Sequence, residues 1–161
     1  MTIKGLIEDD LVNYKKPSMT IMMPICKNFK CDKECGERVC QNSALATAAN
    51  IDIDYTTLIS KYKNNPITQA IVFQGLEPFD SWTELHHCIA AIRGSDINDD
   101  IVIYTGYTEE ELANKIKYLQ SLYYKNIIIK FGRFIPNQES HQDEILGIYL
   151  ASDNQYAKKI S

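Results

Sequence analysis

The chain is short of several features that mark common protein classes. Lysines, arginines and acids are interleaved without a block of positive charge, and the net charge is −4. With no basic face to track phosphates, nucleic acid is not expected as a direct partner. No apolar run approaches the ~20 residues that a membrane-spanning helix needs, and the N-terminus carries no basic segment followed by an apolar core. The expected location is therefore the cytoplasm, with no membrane attachment. There is no internal repeat and no low-complexity segment. No Ser/His/Asp or Cys/His set suggests a nucleophilic catalyst. His86 and His87 sit on the flank of one helical pattern and His141 in a polar loop, where solvated side chains are the plain expectation.

What is present fits one globular domain over residues 1–161, with 45% of residues hydrophobic and enough length to bury a core. Short continuous apolar runs at Met19–Ile25, Ala70–Phe73, Ile101–Tyr104 and Ile127–Ile129 are too brief for buried helices and do not alternate. They read as parallel strands covered on both faces. Between them lie helical periods, Trp82, Leu85, Ile89 and Ile92 in one and Leu112, Ile116, Leu119 and Tyr123 in the next. Ser81-Trp-Thr-Glu84 and Thr108-Glu-Glu-Glu111 have the form of capping boxes. Tyr55–Tyr62 reads as a further helix stopped before Asn64-Asn-Pro66, and Ile145–Leu150 as a last strand. Strands alternating with helices predict an α/β fold with a mainly parallel sheet, in a chain too short for a closed eight-unit barrel.

The strand ends carry the unusual chemistry. The first strand runs into Cys26, the second into Gln74-Gly-Leu-Glu-Pro78, the third into Thr105-Gly-Tyr107 and the fourth into Phe131-Gly-Arg133. In parallel α/β folds these ends share the rim where ligands bind. Four of the five cysteines, Cys26, Cys31, Cys35 and Cys40, fall in one short segment on that rim. In a reducing compartment such density points to a metal or an iron–sulfur cluster rather than to disulfides. A four-thiolate zinc site is the alternative, but its paired cysteines are normally ~12–20 residues apart so that two loops converge. Here only three residues separate the inner pair. Cys88, beside the apolar stripe of the Trp82–Ile92 helix, reads as a small core residue.

Asn28-Phe-Lys-Cys31, Cys40-Gln-Asn-Ser43, Gly75-Leu-Glu-Pro-Phe79, Asp100-Ile-Val-Ile-Tyr-Thr-Gly-Tyr-Thr-Glu-Glu-Glu-Leu112 and Ser152-Asp-Asn-Gln155 together resemble the activating proteins of anaerobic ribonucleoside-triphosphate reductase. Those belong to the radical S-adenosylmethionine enzymes. The resemblance runs from about Thr20 to Tyr156. It implies an open, partial (βα) barrel with a [4Fe–4S] cluster on three cysteines and S-adenosyl-L-methionine on the remaining iron. The implied activity is reductive cleavage of that cosubstrate to a 5′-deoxyadenosyl radical, which installs a glycyl radical on the large subunit of the anaerobic reductase. Reduced flavodoxin or ferredoxin is the implied electron donor. Another protein or peptide substrate, or a non-enzymatic zinc or iron–sulfur module, is the alternative.

By the same resemblance the cluster ligands are Cys26, Cys31 and Cys40, leaving Cys35 spare. Gly75, Leu76, Glu77, Pro78, Tyr104, Thr105, Gly106 and Asn154 fall at cosubstrate positions, with Glu77 supporting the turn that holds the amino group. Tyr107 flanks Gly106 and joins Tyr104 as a candidate pocket wall, Gln155 lies near the cosubstrate or the partner surface, and Arg133 reads as an exposed arginine, with a carboxylate or the partner chain as the alternative contact. Two departures stand out. The family pattern is Cys-x3-Cys-x2-Cys, whereas this chain has Cys-x4-Cys-x3-Cys-x4-Cys, and Leu76 occupies the usual place of a second glycine.

Overall fold

The computed structural model describes residues 1–161. The chain opens with strands β1 (Thr2–Ile3) and β2 (Gly5–Asp10) and turns back into β3 (Ser18–Met23). The cysteine segment holds helix α1 (Lys30–Cys35) and a 3-10 turn over Ser43–Ala46, before β4 (Ile51–Asp52) and α2 (Tyr55–Asn64). Next come β5 (Ala70–Gly75), a 3-10 turn over Pro78–Ser81, α3 (Trp82–Gly94), β6 (Asp100–Tyr104), α4 (Ala113–Ser121) and β7 (Ile127–Phe131). A hairpin of β8 (His141–Asp143) and β9 (Ile148–Leu150) precedes the last strand, β10 (Tyr156–Lys159).

Six strands form the main sheet in the order β10-β7-β6-β5-β3-β2. β3, β5, β6 and β7 are mutually parallel, and β2 and β10 close the two edges antiparallel. β2 and β10 do not pair, so the sheet stays open rather than closing into a barrel. Each parallel strand lies beside the next one in the chain. Because such crossovers are right-handed, stepping always in one direction puts every helix on the same side.

The packing follows. Leu58 and Tyr62 of α2, Leu85, Cys88, Ile89 and Ile92 of α3, and Ile116 and Leu119 of α4 share one core with Ile71, Phe73, Ile101, Ile103, Ile127 and Ile129. Truncating Phe73 to alanine there should cost about 3–5 kcal/mol. Alternate residues point to the opposite face, where Ala70, Val72, Val102 and Ile128 lie under Tyr14, Leu146 and Leu150. The runs lacked alternation because both faces are apolar, yet only one is covered by helices. The other is roofed by the β2–β3 loop and the β8–β9 hairpin.

Some local expectations change. Ser81 makes no cap, and Glu84 instead accepts the Thr2 N–H at 3.0 Å. The Pro78–Ser81 turn runs straight into α3, and Glu77 caps that turn by accepting from Phe79 N. The Thr108–Glu111 box does form, with Thr108 N donating to Glu111 Oε2 at 2.8 Å and Glu111 N to Thr108 Oγ1 at 3.3 Å. Tyr123 is 89% exposed, because α4 ends at Ser121 and the chain turns through φ 55° at that residue. The strand expected over Ile145–Leu150 begins only at Ile148, since Gly147 turns the chain at φ 72°, and it is not the last, because β10 follows it.

Candidate metal and cosubstrate site

The inner row of the sheet turns polar at its C-terminal end. Period-two alternation that aims Ala70, Val72, Val102 and Ile128 inward also aims Gln74, Tyr104 and Lys130 inward one step further on. Tyr104 stands directly opposite Lys130 in the β6–β7 register. These side chains floor a cavity of about 380 Å³, large enough for a nucleoside-sized ligand. Cys26, Cys31 and Cys40 line it, as do Ile148, Tyr149 and Leu150 of the β8–β9 hairpin.

The cysteine segment is shaped by its own polar groups. α1 begins at Phe29 in the left-handed region, φ 39°, and ends at Gly36, φ 69°. Asp32 Oδ1 accepts both Val39 N at 2.9 Å and Cys40 N at 2.7 Å, folding the chain back beside the helix. Asp80 ties the segment to the rim by accepting Lys27 N at 2.7 Å and the Tyr107 hydroxyl at 2.6 Å. All four thiols are free and half-buried. Cys26, Cys31 and Cys40 line the cavity and Cys35 does not.

Burial pushes the Cys26 thiol up, against backbone N–H groups of Phe29 and Asn28 that pull it down. Cys40 is likewise raised by burial and opposed by the Asn42 N–H. N–H groups aimed at sulfur are what an anionic thiolate ligand needs. No three His, Cys, Asp or Glu side chains stand close enough to hold one metal ion. Cys26, Cys31 and Cys40 share one cavity lining, and thiolates are the ligands that iron–sulfur clusters take.

Glu77 lies 7% exposed at the rim between the β5 and β6 ends. Its Oε1 accepts Thr105 Oγ1 at 2.8 Å and Phe79 N at 3.1 Å, and its Oε2 accepts Gly106 N at 2.9 Å. Burial nevertheless pushes its carboxyl up to about 7, with the three donors opposing the shift. Gly75 and Gly132 hold φ of 92° and 97°, and a side chain at Gly132 would strike Asn154 O at 2.7 Å. Gly106 needs no such conformation and serves through its N–H. Leu76 is accommodated without left-handed backbone.

Gly75, Leu76, Glu77, Tyr104, Thr105 and Gly106 all line the cavity. Pro78 starts the buried turn behind it. Asn154 is outside the lining, with its Nδ2 on the Arg133 carbonyl at 3.0 Å, and Gln155 takes the lining position. Tyr107 is likewise outside, its ring under Lys30 Nζ at 3.7 Å. Cys88 is in the core, as its place on the α3 stripe indicated.

Lys130 was not anticipated. Its side chain lines the cavity within a strand whose residues are all buried, and the residue is 7% exposed. Its hydrogen-bond partner is the Gly132 carbonyl at 3.0 Å, and none of the chain's ion pairs includes it. Burial brings the ammonium down to about 8, against the charges of Cys31 and Glu77 that raise it. The available signal was a lysine inside an otherwise apolar strand, since lysine is almost never buried unless paired.

A family model described as a 4Fe-4S single cluster domain matches residues 20–156. No curated protein matches the chain, and no solved structure does.

Proposed function

The chain belongs to the 4Fe-4S single cluster domain family, and on that premise we propose that it is a radical S-adenosylmethionine activase. Its substrate is the glycyl-radical subunit of an anaerobic ribonucleotide reductase, and it works in the cytoplasm with reduced flavodoxin or ferredoxin as donor. Cys26, Cys31 and Cys40 would hold the cluster. The observation that carries this reading is their position on the wall of a cavity that continues inward over the strand ends, with the fourth thiol outside it. Three ligands would leave one iron open to a cosubstrate, for which the rest of the cavity lining would be available.

When bound, the cluster supplies the electron that splits the cosubstrate's carbon–sulfur bond. The chain's own residues bind and orient. Glu77, holding Thr105 and Gly106 by hydrogen bonds, fixes the β5 and β6 ends as one surface against which an amino group can be held. Lys130 places a cation with spare donors on the cavity floor, suited to a carboxylate. Ile148 and Leu150 of the β8–β9 hairpin add apolar lining to the same cavity.

The test is anaerobic reconstitution with iron and sulfide, reduction, and assay of 5′-deoxyadenosine formed from S-adenosylmethionine. Cleavage is expected, with a glycyl-radical signal when the reductase subunit is added. A chain that loads the cluster fully yet leaves the cosubstrate intact is a non-catalytic module, and the proposal fails. Cleavage without radical transfer to the reductase points to another protein substrate.

A further inference from the structure

Helix α1 carries Cys31 and Cys35 but has no buried residue. The hydrophobic effect that fixes the other helices therefore does not fix this one. Its N-cap residue offers no side-chain hydrogen bond either. Charges hold it to the rim instead. Lys30 Nζ lies 3.1 Å from Glu111 Oε1, Arg133 Nη2 lies 2.7 Å from the same oxygen, and Arg133 Nε lies 3.5 Å from Glu34 Oε2. Lys30 also rests its ammonium over the Tyr107 ring. Glu34, Arg133, Glu111 and Lys30 thus form an alternating chain that leaves α1, passes through the loop after β7 and the turn before α4, and returns to α1.

We propose that Glu111 and Arg133 are positioning residues for the metal-binding segment, setting where Cys31 stands relative to the sheet rim. The inference rests on the cluster-binding reading, but on neither cosubstrate cleavage nor a particular protein substrate. Glu111 is suited to be the hub because its second oxygen is already anchored by Thr108 N at 2.8 Å, so its position is set by the Thr108–Glu111 turn that precedes α4. Arg133 is suited to be the link because its side chain is only 15% exposed and its carbonyl is held by Asn154. Neither residue lines the cavity, so each acts through the helix and not on a ligand.

The apo-protein gives a readout that needs no cluster. Trypsin sites at Lys27, Lys30, Lys33 and Arg38 lie in the segment, and cutting there reports its release from the rim. Glu111→Gln and Arg133→Met should each raise the cutting rate about fivefold over sites elsewhere in the chain. Raising sodium chloride from ~0.05 to ~0.5 M should do the same to the parent protein, less to either single variant and little to the double variant. The double variant should cut faster than either single one, because each single variant leaves the other tie to α1, Arg133–Glu34 or Lys30–Glu111, in place. Arg133→Lys should restore much of the protection. After anaerobic reconstitution, the two loss variants should lose visible cluster absorbance in air about fivefold faster than the parent, and Arg133→Lys should not.

A double variant that cuts no faster than the quicker single one, or cutting rates indifferent to salt and to both variants, overturn the proposal. So does a change in cutting that leaves the cluster's rate of loss untouched. A failure of cosubstrate cleavage alone leaves both readouts standing, so the two readings fail separately.

Discussion

Thr105 donates its hydroxyl to Glu77 Oε1 at 2.8 Å, across 28 residues of sequence and from one strand end to the next. That bond and its two backbone partners hold a carboxylate that burial pushes up to about 7. A raised folded-state value means that this group's contribution to stability is fully present below its ordinary 4.5 and lost as pH rises through about 7. The apo-protein should therefore lose about 3 kcal/mol from this group between those limits. Anaerobic urea unfolding at pH 5 and pH 8 measures the difference, and Glu77→Gln should flatten it. An unchanged pH slope in that variant would show that Glu77 is not the group responsible.

Lys130 gives the opposite sign. Its ammonium is brought from 10.5 down to about 8, so the charged form opposes folding below pH 8 and the penalty fades as pH climbs toward 10.5. Lys130→Met should stabilise the apo-protein at pH 7 by up to about 3 kcal/mol, less the lost bond to Gly132. The same variant should bind S-adenosylmethionine at least tenfold more weakly, by calorimetry on the reconstituted protein. A variant that is more stable yet binds normally would remove Lys130 from the proposed cosubstrate site.

The cysteines are separable by iron content. Cys26→Ala, Cys31→Ala and Cys40→Ala should each reconstitute to much less iron and sulfide than the parent, with loss of the visible absorbance. Cys35→Ala should load normally, since that thiol stands outside the cavity. Full loading in Cys26→Ala together with empty protein in Cys35→Ala would exchange the two roles.

Two glycines a short distance apart on the rim should behave differently. Gly132→Ala places a methyl group 2.7 Å from Asn154 O at φ 97° and should cost about 2–3 kcal/mol in chemical unfolding. Gly106→Ala meets nothing closer than 3.7 Å and keeps its N–H on Glu77, so the cost should stay below about 1 kcal/mol. Equal costs would contradict the backbone assigned to Gly132.

The parallel strands and the helices behind them were legible because both are built from apolar periodicity. Ile71, Ile103 and Ile129 repeat one solution three times, and the covering helices answer with Leu85, Ile89 and Ile116. What escaped was held by polar geometry. β2 and β10 are edge strands, Gly-Leu-Ile-Glu-Asp-Asp and Tyr-Ala-Lys-Lys, whose pairing needs a neighbour already in place. α1 depends on ion pairs with residues distant in sequence. At the rim, the Gly75–Glu77 and Tyr104–Gly106 stretches stood out by composition, whereas Lys130 looked like one charge among many. Its meaning depends on the strand register that sets it across from Tyr104.

That the helix bearing Cys31 buries nothing has an evolutionary side. Residues 24–50 join β3 to the next pairing strand without contributing a buried side chain after Pro24. Insertions there leave the hydrophobic interior untouched, and loop lengthening carries only a small entropic penalty. Spacing between thiols can therefore drift in a lineage while the scaffold is conserved, provided that a few surface charges re-anchor the segment.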